Sequence, residues 1–439
     1  MRLSVCFSSL LLGLALVGLA PAQITYDAVT DREIRPKPPR PALGPAGVTL
    51  KDPTFGSLLL RVTDAHTVPD KPNAAYFTPA GSFVQAWAPD SRRFFVRGDA
   101  GHLVFDFDPQ PIHAKMLRPL PLDGPAFSGV TNDVVYGLSG KRVVAYSIVS
   151  GKSSVVLDLN RVVPDYPEYQ YAVSVSADDT KFAVSFSGMQ DTFRYLVWFD
   201  RSTGTQHLLD LKTSTLDGRP TPIQVPAGAG IHSQDMDRSG RYVSFCGPRI
   251  PGQNACFWDT QAGTFTPQTN KWSGHAVLGY GCQVNQSGIL VPRSSDGRGF
   301  ILRPLATPNE NLRQLINPPP SPPYAWSYGG HWSWASARPD VLNPVVGTFY
   351  RDPDKRAWGL WDDEVVAVRT EAGASTVWRF AHHRTVFDGK NFWDCPRGNL
   401  SPDGRWFIFT SNWEKTLGTT PNGQARQDVF LVALKVASK

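Results

Sequence analysis

The sequence predicts an all-β fold built from seven repeated four-stranded antiparallel units, on three observations. Gly and Pro number 38 each in 439 residues, while charged residues make up only 19%, a turn-rich and charge-poor balance. Large rings are abundant, with 13 Trp, 13 Tyr and 24 Phe, and 41% of the chain is hydrophobic. That is enough apolar surface for a sizeable core and too much for a disordered chain. Finally, one short pattern, a polar turn followed by a run of aromatic or β-branched residues, recurs along nearly the whole length. Proline interrupts throughout, and Ala, Glu, Lys, Leu and Arg do not dominate, which excludes a coiled coil.

The N-terminus comes first. Arg2, the apolar stretch 10–19 and Ala20-Pro21-Ala22 supply the charged start, apolar core and A-x-A site of a cleavable signal peptide over residues 1–22. No cysteine stands at the cleavage point after the apolar core, so lipid anchoring there is not suggested, and no later stretch is long and apolar enough to span a bilayer. The mature chain is therefore expected to be monomeric, without a membrane span, and periplasmic or secreted. Residues 23–50 read as a Pro-rich N-terminal tether, because Arg35-Pro36-Lys37-Pro38-Pro39-Arg40-Pro41 favours polyproline II and cannot pair as sheet. Residues 51–439 are left as one repeat domain.

The repeat is clearest at 400–409 (LSPDGRWFIF), and recurs at 88–96 (APDSRRFFV), 176–184 (SADDTKFAV) and 236–243 (MDRSGRYV). Weaker copies centre on Asn132, Gln286 and Asp340. The chemistry is that of a hairpin turn: Pro presets φ, Asp bonds its own backbone, and Gly accepts the positive φ that follows. A spacing of roughly 40–60 residues with only strands inside it is the mark of a β-propeller. A second turn, D-x-x-x-G, appears at Asp200/Gly204 and Asp259/Gly263, and would join the third and fourth strands of a blade. Seven turn centres give seven blades. The last copy lacks an outer strand, which residues 57–63 near the N-terminus would supply, closing the ring without an open edge.

Residues 400–409 and their relatives resemble the PD40 repeats of TolB-like, WD40-like seven-bladed propellers in exported bacterial proteins. This resemblance implies the same closed ring, and the motif specifies fold rather than activity.

In such a ring, residues just upstream of each innermost strand gather at one mouth of the central channel. In four consecutive blades these are Ile231-His232-Ser233-Gln234-Asp235, Gly274-His275, Gly330-His331-Trp332-Ser333-Trp334 and Trp393-Asp394-Cys395-Pro396-Arg397. His232, His275 and His331 would together hold a divalent metal, Mn or Zn, with Gln234, Asp235 or Asp394 adding oxygen. The alternative role for each histidine is a hydrogen bond that fixes blade spacing. Arg397 is the candidate catalytic residue: beside a metal it would neutralise a substrate carboxylate and favour β-elimination of a uronate. Tyr169, Trp332, Trp334 and Arg397 are candidate ligand contacts, by stacking on a sugar and pairing with its charge; the tryptophans also fit inter-blade core. The mouth places the chain near oligogalacturonate lyases, in architecture. That resemblance implies a manganese site of histidines and a glutamine, and this chain has no Q-x-x-H-x-H.

Other residues bound the reading. Cys246 and Cys256 flank a Gly/Pro-rich loop and are a disulfide candidate, or else buried thiols. There is no C-x-x-C, which argues against a thiolate zinc site. His382-His383 end an apparent outer strand, at the ring edge. The net charge of +6 permits acidic partners, but without a basic stripe it does not suit nucleic acid. The expected function is an exported propeller that binds a glycan or a protein at its channel mouth without catalysis. The alternatives are a metal-dependent uronate lyase at that mouth and a TolB-like envelope scaffold.

Overall fold

The computed structural model describes residues 23–163, 169–187, 195–223, 231, 233–246, 255–268, 276–285, 300–316, 329–334, 343–351, 357–371, 375–388 and 391–438. Their strands form seven antiparallel sheets, five of four strands, one of five and one of six. Each is a blade. From the inside outward, blade one is Tyr76–Phe77, Arg93–Gly98, Gly101–Pro109 and Ile112–Leu120. Blades two to six follow in chain order, with innermost strands Asp123–Phe127, Tyr169–Val175, Ser233–Met236, Val277–Leu278 and Gly329–Ser333. Blade three carries two extra short outer strands, Thr215–Leu216 and Arg219–Pro220.

The repeated turns have the conformation their residues dictate. Gly404 (φ 69°), Gly240 (φ 76°), Ser91 (φ 60°) and Asp179 (φ 60°) occupy the left-handed position. An Asp directly precedes Gly404, Ser91 and Asp179 and stands three residues before Gly240: Asp403 Oδ1 accepts from Arg405 N at 3.0 Å, and Asp90 Oδ1 from Arg92 N at 2.9 Å. The D-x-x-x-G hairpins behave likewise, with Asp259 Oδ1 accepting from Gln261 N at 3.1 Å before Gly263 (φ 64°).

Blade seven closes the ring as expected. Gly398–Leu400, Trp406–Ser411 and Asp428–Ala433 come from the C-terminal end, and Leu58–Arg61 then Thr49–Lys51 from the N-terminal end. Neighbouring blades lock through turn-to-strand bonds. Trp198 Nε1 donates to Gly240 O at 2.8 Å, and Ser128 Oγ donates to Asp179 Oδ2 at 2.5 Å. The core lies between the sheets, as clusters such as Trp87, Phe94, Phe95 and Phe105 near blade one and Phe300, Trp332, Phe349 and Trp361 between blades five and six.

The N-terminal segment is docked, not free. Tyr26 bridges Val436 and Val29 bridges Arg379. Beyond them the Pro-rich stretch makes no sheet, so its carbonyls lack ladder partners, and buried side chains of blades six and seven supply them. Arg379 Nη1 donates to Glu33 O at 2.9 Å, His382 Nε2 pairs with Arg35 O at 2.9 Å, and Arg384 Nη1 donates to Pro38 O at 3.2 Å. Lys37 adds an ion pair to Asp363 at 2.8 Å. His382 ends the outer strand Val377–His382, and both it and His383 are fully buried beneath this strap.

Candidate functional site

The leading end of the last inner strand is held from the two neighbouring blades. Thr348 Oγ1 of blade six donates to Pro396 O at 2.7 Å, and Thr78 Oγ1 of blade one donates to Arg397 O at 3.0 Å. Asn391 caps the short helix Phe392–Asp394, accepting from Trp393 N at 3.0 Å. This fixes Phe392, Trp393, Asp394 and Arg397 at one mouth of the channel.

Two guanidinium groups stack on the Trp393 indole there. Arg97, from the second strand of blade one, lies 4.9 Å from the ring, and Arg397 lies 5.3 Å from it. Arg397 also covers the Phe392 ring at 3.8 Å and donates to Phe392 O at 2.8 Å. Phe77 packs against Trp393 at 4.5 Å. Phe392 is 59% exposed whereas Arg397 is 2% exposed, so one aromatic face meets solvent with a fixed cation behind it. Beside this cluster a cleft of about 400 Å³ runs between blades one and two, lined by Pro79, Phe83, Arg97, Asp99, His102 and Asp123. Burial, with Arg97 adding, holds His102 down to about 4, and its Nδ1 meets Leu122 O at 3.0 Å.

The other sequence candidates fall in different places. Asp394 is 3% exposed, and its Oδ1 accepts from Gln427 Nε2 at 2.6 Å and Asn412 Nδ2 at 3.1 Å. Burial raises its pKa above the usual carboxylate range. His331 stacks on Tyr350 at 5.9 Å, and Tyr350 bonds the Cys395 thiol, so these three connect blade six to the Arg397 segment. Gln234 does not face the mouth: its Nε2 reaches Ser174 Oγ at 3.3 Å and Ala183 O at 3.4 Å, tying blade four to blade three. Trp332, 1% exposed between Phe300 and Phe349, belongs to the inter-blade core and offers no face to a ligand. Trp334 is buried with Nε1 donating to Asn343 O at 2.7 Å, and lines the opposite end of the channel. Tyr169 begins the inner strand of blade three, and its side chain lies outside the described residues, as do His232 and His275. Cys256 is a free, buried thiol with Phe245 opposite it across the ladder, and the side chain of Cys246 lies outside the described residues.

The predicted metal site is only partly described, since His232 and His275 lie outside the described residues. Among the described residues no three His, Cys, Asp or Glu side chains converge. Asp394, Arg397 and Asn399 stand at the spacing of Q-x-x-H-x-H with none of its residues, and the fixed positive charge of Arg397 opposes a divalent cation there.

No family model and no curated protein matches the chain. Solved structures do. An oligogalacturonate lyase in complex with manganese is 16% identical with a TM-score of 0.56, covering 89% of this chain and 98% of its own. An oligogalacturonate lyase from Vibrio parahaemolyticus is 13% identical with a TM-score of 0.55, covering 88% of this chain and 96% of its own. A TolB from Acinetobacter baumannii aligns at a TM-score of 0.37 with 14% identity, over 70% of this chain and 63% of its own. At these identities the likeness is one of fold: the chain is a seven-bladed β-propeller that resembles oligogalacturonate lyase. Among the described residues no helix is long and apolar enough to cross a membrane.

Proposed function

We propose that the chain is an exported propeller that binds a carboxylated sugar at the mouth formed by blades one, six and seven, and holds it without cleaving it. The observation that carries this is the Trp393 indole with the guanidinium groups of Arg97 and Arg397 within 5.3 Å of it, next to exposed Phe392. Aromatic faces stack on the apolar side of a sugar ring, and guanidinium groups take carboxylates in a planar, two-pronged bond. The adjoining cleft has the size of a small-ligand pocket. The solved structures of similar fold that act on oligogalacturonate support an acidic sugar as the ligand class.

A binding role rather than elimination is supported by the state of the local acid–base groups. Asp394 is occupied by two amides, and His331 lies against Tyr350. Calorimetric titration with oligogalacturonate tests the reading. Saturable binding that Arg97→Ala and Trp393→Ala both weaken is the expected result. Unchanged affinity in both variants overturns the site. Ultraviolet absorbance of an unsaturated product, growing with time, would instead establish a lyase.

A further inference from the structure

The opposite end of the channel is barred by side chains. Arg238, in the blade-four turn, donates from Nη1 to Gln85 Oε1 of blade one at 2.6 Å. Gln85 Nε2 in turn donates to Ser128 O of blade two at 3.0 Å. On the channel side of this bar lie Asp235, Met236 and Trp334. On the outer side Arg238 borders a groove of about 660 Å³ that also includes Lys181, Arg241, Tyr242 and Tyr280.

Charge in this groove is unevenly matched. Arg241 is satisfied by Asp259 through two bonds of 3.0 and 2.7 Å. Lys181 has Asp200 only at 3.9 Å. Arg238 has a neutral hydrogen-bond partner, and its buried Nε has none among the described residues. Asp178 is turned to its own hairpin, accepting from Ser176 Oγ at 2.5 Å and Thr180 Oγ1 at 2.8 Å. The carboxyl near Arg238 on the channel side is Asp235. Burial pushes it up to about 8, so it is protonated at neutral pH and does not compensate the guanidinium. A guanidinium that borders an open groove and whose hydrogen-bond partner is a neutral amide, with Asp178 committed to its own hairpin, can take the oxyanion of a ligand.

We propose that this groove is a second ligand site, at the far end of the ring from the mouth, taking the oxyanion of a small hydroxylated molecule on Arg238 and Lys181 with Tyr280 as the stacking wall. A carboxylate and a phosphate share that chemistry. The ligand displaces Gln85 from Arg238 and so opens the bar across the channel. The site stands independently of the sugar-binding mouth.

Titrating the full chain with galacturonate, and separately with inorganic phosphate, tells the two sources apart. At least one is expected to bind at a site where Arg238→Gln lowers affinity tenfold or more and Trp393→Ala does not. Gln85→Met frees Arg238 without removing charge, and is expected to tighten the same site even should Arg238→Gln fold poorly. The groups facing Arg238 are Asp235, Asp237, Asp178, Tyr280 and Lys181; of these Asp235 ionises near pH 8. Galacturonate affinity is therefore expected to fall above that pH, and Asp235→Asn to remove the fall. Absence of binding by both probes, or a Gln85→Met variant that binds no tighter than the parent, overturns the proposal.

Discussion

Arg61 and Asp428, 367 residues apart, meet in blade seven, where Arg61 Nη2 donates to Asp428 Oδ2 at 2.5 Å. Arg426 Nη1 takes the other oxygen at 2.5 Å, and Asp428 has no exposed surface. The pair joins the N-terminal strand Leu58–Arg61 to the C-terminal strand Asp428–Ala433. Arg426 still neutralises Asp428 when Arg61 is removed, so the loss is that of hydrogen bonds to a buried charge, about 1.5–3 kcal/mol. Arg61→Met is expected to lower the unfolding free energy by an amount in that range, read as a lower urea midpoint with the slope of the transition unchanged.

The buried histidines under the N-terminal strap make stability depend on pH. Burial holds His382 at about 3 and His383 at about 4, both below the ordinary value. In the unfolded chain each takes up a proton near pH 6.5, whereas in the fold each remains neutral. Their stabilisation is complete above pH 6.5 and is lost as pH falls toward 4, by about 1.4 kcal/mol per pH unit for each. Denaturant midpoints measured from pH 7 to pH 5 are expected to drop, and a His382→Gln/His383→Gln variant to show a flatter profile.

Gly398 is required by close packing at the mouth. A Cβ there would lie 2.2 Å from the Phe407 ring and 2.4 Å from Ile408 O, and the strand backbone opposite it cannot yield. Gly398→Ala is expected to destabilise by about 1–3 kcal/mol, read as a lowered Tm, and to weaken sugar binding because Arg397 precedes it.

Trp393→Ala is expected to reduce oligogalacturonate affinity about tenfold, which is about 1.4 kcal/mol. That matches the loss of one stacking face together with its cation–π contacts. Trp393→Phe keeps a ring and should recover part of it, which separates a ligand contact from a folding defect.

The turns were legible because their chemistry is local: Ser401-Pro402-Asp403-Gly404 determines its own geometry. Ring closure was legible as well, since the last repeat visibly lacked an outer strand that residues 57–63 could provide. Arg397 and Asp394 are legible from their place just before an inner strand. Trp393, beside them, is signalled only by the aromatic pair Phe392-Trp393. Arg97 carries no such signal, because it reaches the mouth from a second strand, opposite Phe77. Strand alternation sent Trp332 inward. The docking of residues 23–45 had no local signature, since polyproline carbonyls find their donors in Arg379, His382 and Arg384, more than three hundred residues away.

Synthesis proceeds from the N-terminus, so the strand Leu58–Arg61 leaves the ribosome long before Asp428–Ala433, its ladder partner. Until then it carries an unpaired edge and an unmatched Arg61. The ring therefore stays open until Asp428–Ala433 has been made and can pair, whatever the earlier blades have achieved. A factor that binds exposed strand edges would act on this protein through that interval.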